Sequence, residues 1–218
     1  MRRPAISVAL AALFAAAPPA TAHEGNPNYL SQVAAITPRT DGVTVEVLNR
    51  DDRLLLQNSS GEDVVIAGYE DEPYARVLAD GSVEVNTDSE AYFVNEDRFA
   101  NVDVPAGVDS KGQPRWKEIA RTGRFEWHDH RAHWMAAGTP PQVDDESVRT
   151  KVFDWDVPIQ VGGKAGAISG SLFWTPPADG GAPLGLILGV AGVLIALCLV
   201  VIAVRARRAQ EREPEAAW

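Results

Sequence analysis

In the stretch VTVEVL (43–48), Val43, Val45 and Val47 alternate with Thr44 and Glu46. Successive side chains of a strand point to opposite faces, so this period of two reads as a strand with one buried face. Similar runs return in RLLLQN (53–58), DVVIAGY (63–69), SVEVNT (82–87) and AYFV (91–94). The pieces between them, NRDD, NSSGE, EDEP and ADG, are rich in the residues that turns require. Further on, KVFDWDVPI sets Phe153, Trp155, Val157 and Ile159 on one face and Asp154 and Asp156 on the other, and GAISGSLFW (166–174) predicts a closing strand. No convincing amphipathic helix and no internal repeat interrupts the series. The pattern predicts an all-β domain, an antiparallel β-sandwich, with an immunoglobulin-like topology as the expected arrangement.

Two irregular stretches break the alternation, one from about Asn95 to Arg124 and one over AAGTPPQVDDES (136–147). Long loops on a sandwich are where binding groups are displayed. Between them lies FEWHDHRAHWM (125–135), which holds three of the four histidines and the only methionine besides Met1.

The ends of the chain follow a different pattern. Arg2 and Arg3, an apolar run from Ala5 to Ala17 and the small-residue site Ala20-Thr21-Ala22 have the layout of a secretory signal peptide over residues 1–22. Cleavage after Ala22 makes His23 the first mature residue. Leu184 to Val204 carries no charge and is long enough to cross a hydrocarbon core of about 30 Å. Arg205, Arg207 and Arg208 follow it, which places that end in the cytoplasm by the bias of basic residues. The expected organisation is a signal peptide (1–22), an extracytoplasmic β-domain (23–177), a linker (178–183), a transmembrane helix (184–204) and a cytoplasmic tail (205–218). The protein is then a single-pass protein of the cell membrane.

Charge narrows the partners. Residues 23–182 hold 27 Asp and Glu against 14 Lys and Arg, a net of −13. A surface of that sign disfavours nucleic acid and anionic membrane surfaces. The lone cysteine, Cys198, falls in the apolar span, so the exported domain has neither disulfides nor thiolate metal ligands.

The histidine segment offers two kinds of chemistry. Read as a strand, FEWHDHR puts His128 and His130 on one face with Cα atoms about 6.6 Å apart, two steps of about 3.3 Å. Two imidazoles at that spacing can share an ion, His133 can join if the chain turns at Arg131-Ala132, and Met135 adds a thioether. Neutral imidazole suits Zn, Cu, Fe and Ni, and thioether biases the set toward Cu(I). A mature His23 would chelate through its amine and its ring, the arrangement called a histidine brace, and a flat nitrogen set suits Cu(II). The competing reading is a packed corner in which Trp127, Trp134, Asp129 and Arg131 hold the imidazoles by hydrogen bonds. HxHxxH lacks the helical Glu of the zinc-protease motif, and no GxSxG elbow, phosphate loop or EF-hand order of ligands is present.

Taken together, GVTVEVL, DEPYARV, VNEDR, WHDHRAHWM, VFDWDVPIQV and LFWTPP before a single span resemble a family of uncharacterised exported bacterial proteins. The resemblance implies a recurring architecture and brings no activity with it. The expectation is a non-enzymatic, membrane-anchored binding module. Its candidate copper-like site is His128, His130, His133, His23 and Met135. The alternative is a structural or protein-interaction envelope domain in which the His/Trp segment is a packing element. A copper- or zinc-dependent enzyme ranks below both, since no nucleophile or paired catalytic carboxylates are visible.

Overall fold

The computed structural model describes residues 27–176 and 184–210. The signal peptide, His23 and the linker therefore lie outside the described residues, as does the tail beyond Gln210. By its contacts the chain divides into two units after Pro176.

The described residues of the first unit form ten strands. They are β1 (Tyr29–Thr37), β2 (Val43–Leu48), β3 (Arg53–Asn58), β4 (Val64–Ala67), β5 (Pro73–Val77), β6 (Val83–Asn86), β7 (Trp116–Ala120), β8 (Arg124–Trp127), β9 (Thr150–Val161) and β10 (Lys164–Trp174). One short helix, α1 (Glu90–Val94), follows β6. A seven-stranded sheet runs β1-β10-β9-β4-β5-β6-β7 and a three-stranded sheet runs β2-β3-β8, every pair antiparallel. The core takes Val64, Ile66, Val157, Ile168 and Leu172 from the large sheet and Leu54, Leu56, Phe125 and Trp127 from the small one. Each such side chain contributes about 1.5–3 kcal/mol by leaving water. The two-sheet, sandwich-like, antiparallel β architecture thus follows the alternation seen in the sequence.

β2 and β3 match the predicted stretches residue for residue, because alternation is set by immediate neighbours. In β9 the buried row is Val152, Trp155, Val157, Ile159 and Val161: Val152 takes the inward place that the alternation gave to Phe153, which is half-buried. A register shift opposite Leu172 and Phe173 moves the parity by one at that point. At Gly170 an added Cβ would run into the Trp155 ring, so only glycine lets β10 pass this close to the indole.

AYFV, predicted as a strand, is the helix α1. Ser89 caps it, its Oγ accepting from the Ala91 N–H at 3.1 Å, and the Ser89 hydroxyl donates to the buried Glu72 carboxylate. That cap outweighs the strand preference of Tyr92 and Phe93, whose rings pack edge to face. The predicted irregular stretch 95–124 also contains β7, which pairs with β6.

The turn joining β2 to β3 sets the scene for the histidines. Asn49 and Arg50 both adopt left-handed backbone, at φ 48° and 73°, a conformation that costs an L-residue roughly 1–2 kcal/mol. Arg50 offsets the cost through contacts: its Nε donates to the Tyr29 carbonyl at 3.0 Å, and its own carbonyl accepts from Ser31 N at 2.8 Å. The next two residues, Asp51 and Asp52, are thereby turned into the protein.

The second unit contains α2 (Leu184–Gln210). Its stretch Leu188–Arg208 has a mean hydropathy of 2.7, which makes it long and apolar enough to cross a membrane. Leu188, Leu194, Leu199 and Ile202 are all exposed, an apolar surface that water would not leave uncovered.

Candidate functional site

β8 ends at Trp127, so His128 and His130 do not continue an alternating strand face. The cause is Asp129. Its carboxylate accepts from the Trp127 indole at 2.9 Å and from the Arg131 N–H at 3.1 Å, and its carbonyl accepts from Ala132 N at 2.9 Å. These bonds fold the chain into a tight turn where a strand would have run straight. At 1 % exposure the carboxylate needs every partner it has.

Arg131 completes its set. Nε and Nη2 each reach the Asp129 carboxylate at 2.8 Å, while Nη1 and Nη2 donate to the carbonyls of Gly68 and Ala67 at 3.2 and 3.1 Å. The turn after β8 is thus tied to the end of β4. Burial works against the Arg131 charge, but the Asp129 carboxylate outweighs it and the pKa is raised. Tyr69, whose ring lies 4.9 Å from the Arg131 guanidinium, accepts from the His130 N–H at 3.1 Å and donates to Asn95 Oδ1. Burial and the nearby Asp129 push its phenol well above the usual range.

A second buried network lies at the β2–β3 turn. Arg98 places Nη2 2.7 Å from Asp51 Oδ2 and Nη1 3.0 Å from Asp52 Oδ1, with both carboxylates almost fully enclosed. His128 joins it, its Nδ1 donating to the Asp52 carbonyl at 2.8 Å. Burial lowers the His128 pKa, the Asp52 carbonyl opposing the shift only in part.

Each predicted site residue can now be placed. His128 is buried against Asp52. His130 is half-buried, stacked on the Tyr69 ring with centroids 5.6 Å apart, and its Nε2 donates to the Asp97 carbonyl at 3.0 Å. His133 is 1 % exposed, and its ring stands at 89° to that of His130 with centroids 5.5 Å apart. One of its nitrogens, Nδ1, is at 3.5 Å from the Trp134 carbonyl, and the other, Nε2, is buried with no hydrogen-bond partner among the described residues. Burial, then the positive Arg98 and the neighbouring His130, depress the His133 pKa to about 4. The structure therefore brings His130 and His133 together. No ring contact joins His128 to either among the described residues, and none of their Cys, His, Asp and Glu side chains form a group of three or more arranged to hold a metal. His23 lies outside the described residues.

Met135 faces a different place. It is 37 % exposed and lines a cleft of about 490 Å³ with Tyr29, Arg98, Phe99, Trp134 and Trp174. The rims are fixed by hydrogen bonds to backbone: Trp134 Nε1 to the Gly138 carbonyl at 2.9 Å, and Trp174 Nε1 to the Glu146 carbonyl at 3.0 Å. Tyr29 and Trp174 meet edge to face at 5.4 Å. Burial and then the charges of Asp51 and Glu146 push the Tyr29 phenol up to about 12.

Asp51, Asp52, Arg98 and Tyr69 carry much of this arrangement, and sequence reasoning assigned them to a turn, an irregular stretch and the end of a strand run. The one signal for Arg98 was its place in the charged run EDR (96–98). Comparison with protein-family models, curated proteins and solved structures finds no match to the chain.

Proposed function

We propose that this protein is a membrane-anchored, non-enzymatic binding module of the cell envelope. In this reading residues 1–22 are removed on export, the β-domain lies outside the membrane, α2 spans it once and the basic end of α2 stays in the cytoplasm. The histidine segment is a hydrogen-bonded corner that holds up the aromatic cleft, and the partner is another envelope protein. An immunoglobulin-like relationship is a finer reading than two sheets around one core, and this function does not depend on it.

The observation that carries the proposal is the preformed cleft. Phe99 is 52 % exposed beside Met135, while Tyr29, Trp134 and Trp174 around them are locked to backbone or to each other. Rigid aromatic walls reduce the ordering cost of binding, and aromatic residues and Met are enriched at interface centres. The exposed Phe99 and Met135 favour a partner that inserts an apolar side chain between them. A photo-crosslinking residue placed at Phe99 or Met135 of the full chain in cells should give one discrete adduct with one envelope protein. The same probe at the exposed Glu46 on β2 should not. Equal labelling from all three positions, or none from the cleft, would remove this reading.

A second reading, a transition-metal site within residues 128–135, is favoured by one specific observation. Each of the rings of His128, His130 and His133 directs one nitrogen at a backbone carbonyl, and in His133 the other nitrogen is buried without a partner among the described residues. A carbonyl on one imidazole nitrogen fixes the tautomer and turns the other lone pair outward, as is usual for metal-binding histidines.

A further inference from the structure

We propose that His130 and His133 form a two-coordinate site for Cu(I), through Nδ1 of His130 and Nε2 of His133. The inference rests on the metal reading and departs from the sequence in its choice of ligands, since His128 is turned to the Asp52 carbonyl and Met135 to the cleft.

Three observations carry it. The first is the buried Nε2 of His133, which has no partner among the described residues and whose desolvation would otherwise go uncompensated. The second is tautomeric: the His130 Nε2–H donates to the Asp97 carbonyl, so neutral His130 holds its lone pair on Nδ1. The third is spacing. Two-coordinate Cu(I) holds its ligands close to a line, so metal–nitrogen bonds of about 2.0 Å set two imidazole centroids about 6 Å apart. The observed 5.5 Å is slightly shorter, a difference that a small rotation of the half-buried His130 ring takes up, and the perpendicular rings do not clash.

The chemistry of the surroundings selects the ion. A structural Zn(II) site takes four ligands, whereas Cu(I) is satisfied by two, and imidazole is among its ligands. Arg98 disfavours added positive charge near His133, so a monovalent ion is penalised less than a divalent one, and Asp51 and Asp52 already offset the guanidinium. His130, half-buried where His133 is enclosed, is the member an arriving ion meets first. No bond is broken and no electron moves in this binding: Cu(I) enters and leaves as Cu(I).

The test uses the full chain in detergent, titrated anaerobically with Cu(I) against a chromophoric Cu(I) chelator. X-ray absorption then reports the coordination of the bound ion. One equivalent should bind with two nitrogen ligands and no sulfur. His130→Ala and His133→Ala should each weaken binding by about 100-fold or more, given that even outer partners of a ligand are worth 10–100-fold. Met135→Leu should leave it unchanged. Because His133→Ala opens a buried site, a readout on the unmodified chain stands beside it: the ¹⁵N resonance of His133 Nε2 should shift on adding Cu(I). Cu(I) bound with sulfur, or unaffected by His130→Ala and by His133→Ala, overturns the pair while leaving a metal site elsewhere. No binding above the chelator ends both, and the free nitrogen then belongs to a buried water.

Discussion

Arg131 grips Asp129 in a two-pronged clasp, with Nε 2.8 Å from Oδ1 and Nη2 2.8 Å from Oδ2, two residues apart on the chain. The same guanidinium donates to the carbonyls of Ala67 and Gly68, more than sixty positions away. One side chain therefore neutralises a buried charge, turns the backbone after β8 and fastens that turn to β4. Arg131→Ala should cost about 3–5 kcal/mol, the usual range for breaking a buried pair from one side. Arg131→Lys should recover only part of this, because an ammonium has no planar fork. Urea unfolding of the three proteins measures both, and near-equal midpoints would show the clasp to be dispensable.

Arg98 predicts the same behaviour at the β2–β3 turn. Its removal leaves the enclosed Asp51 and Asp52 carboxylates without the cation they share. Arg98→Met keeps the bulk of the side chain and should still lose about 3–5 kcal/mol. Screening acts weakly on buried pairs, so the difference from wild type should hardly change between low salt and 1 M salt. A loss that vanishes in high salt would place the pair at the surface.

Acid should weaken the fold before the ordinary carboxylates titrate. The His133 pKa is depressed from 6.5 to about 4, so between these values the unfolded chain takes up a proton that the folded chain refuses. Stability is therefore complete above pH 6.5, declines as the pH falls toward 4, and stops declining on this account below it. Besides burial, Arg98, His130 and His128 lower the His133 pKa, while the Trp134 carbonyl works the other way. His128 is depressed as well and adds a fall of the same sign. For His133 alone the loss amounts to roughly 3 kcal/mol across the window. Thermal melts from pH 7.5 to 4 should show it, and His133→Phe, which cannot take up the proton, should flatten the curve.

His128→Ala separates packing from ligation. The ring is 7 % exposed and donates to the Asp52 carbonyl, so truncation should cost about 1–3 kcal/mol whether or not Cu(I) or Zn(II) is present. Met135→Leu, at an exposed position and close to volume-conserving, should change the melting point little. A His128→Ala protein as stable as wild type without metal, and no longer stabilised by it, would return His128 to the role of ligand.

The two-sheet plan was legible in the sequence because alternation is a local property. Val43, Val45 and Val47 declare their face whatever lies across the sheet, and β2 and β3 fall where the pattern puts them. The apolar run that forms most of α2 was equally plain, since length and lack of charge need no partner. AYFV failed because a single cap, Ser89 held by Glu72 from seventeen positions earlier, decides the backbone there. FEWHDHR failed for a related reason: Asp129 can take up its bonds only in a turn, and Arg131 can hold it there only once β4 has come alongside. Residue type and spacing marked the histidines as unusual. Which of their nitrogens are satisfied was decided by Asp52, Asp97 and Trp134, and two of these lie 76 and 33 positions away. Spacing along a chain fixes which face a side chain shares with its neighbours. The partner of a buried polar atom is fixed by what the collapse of distant segments brings within about 3 Å of it.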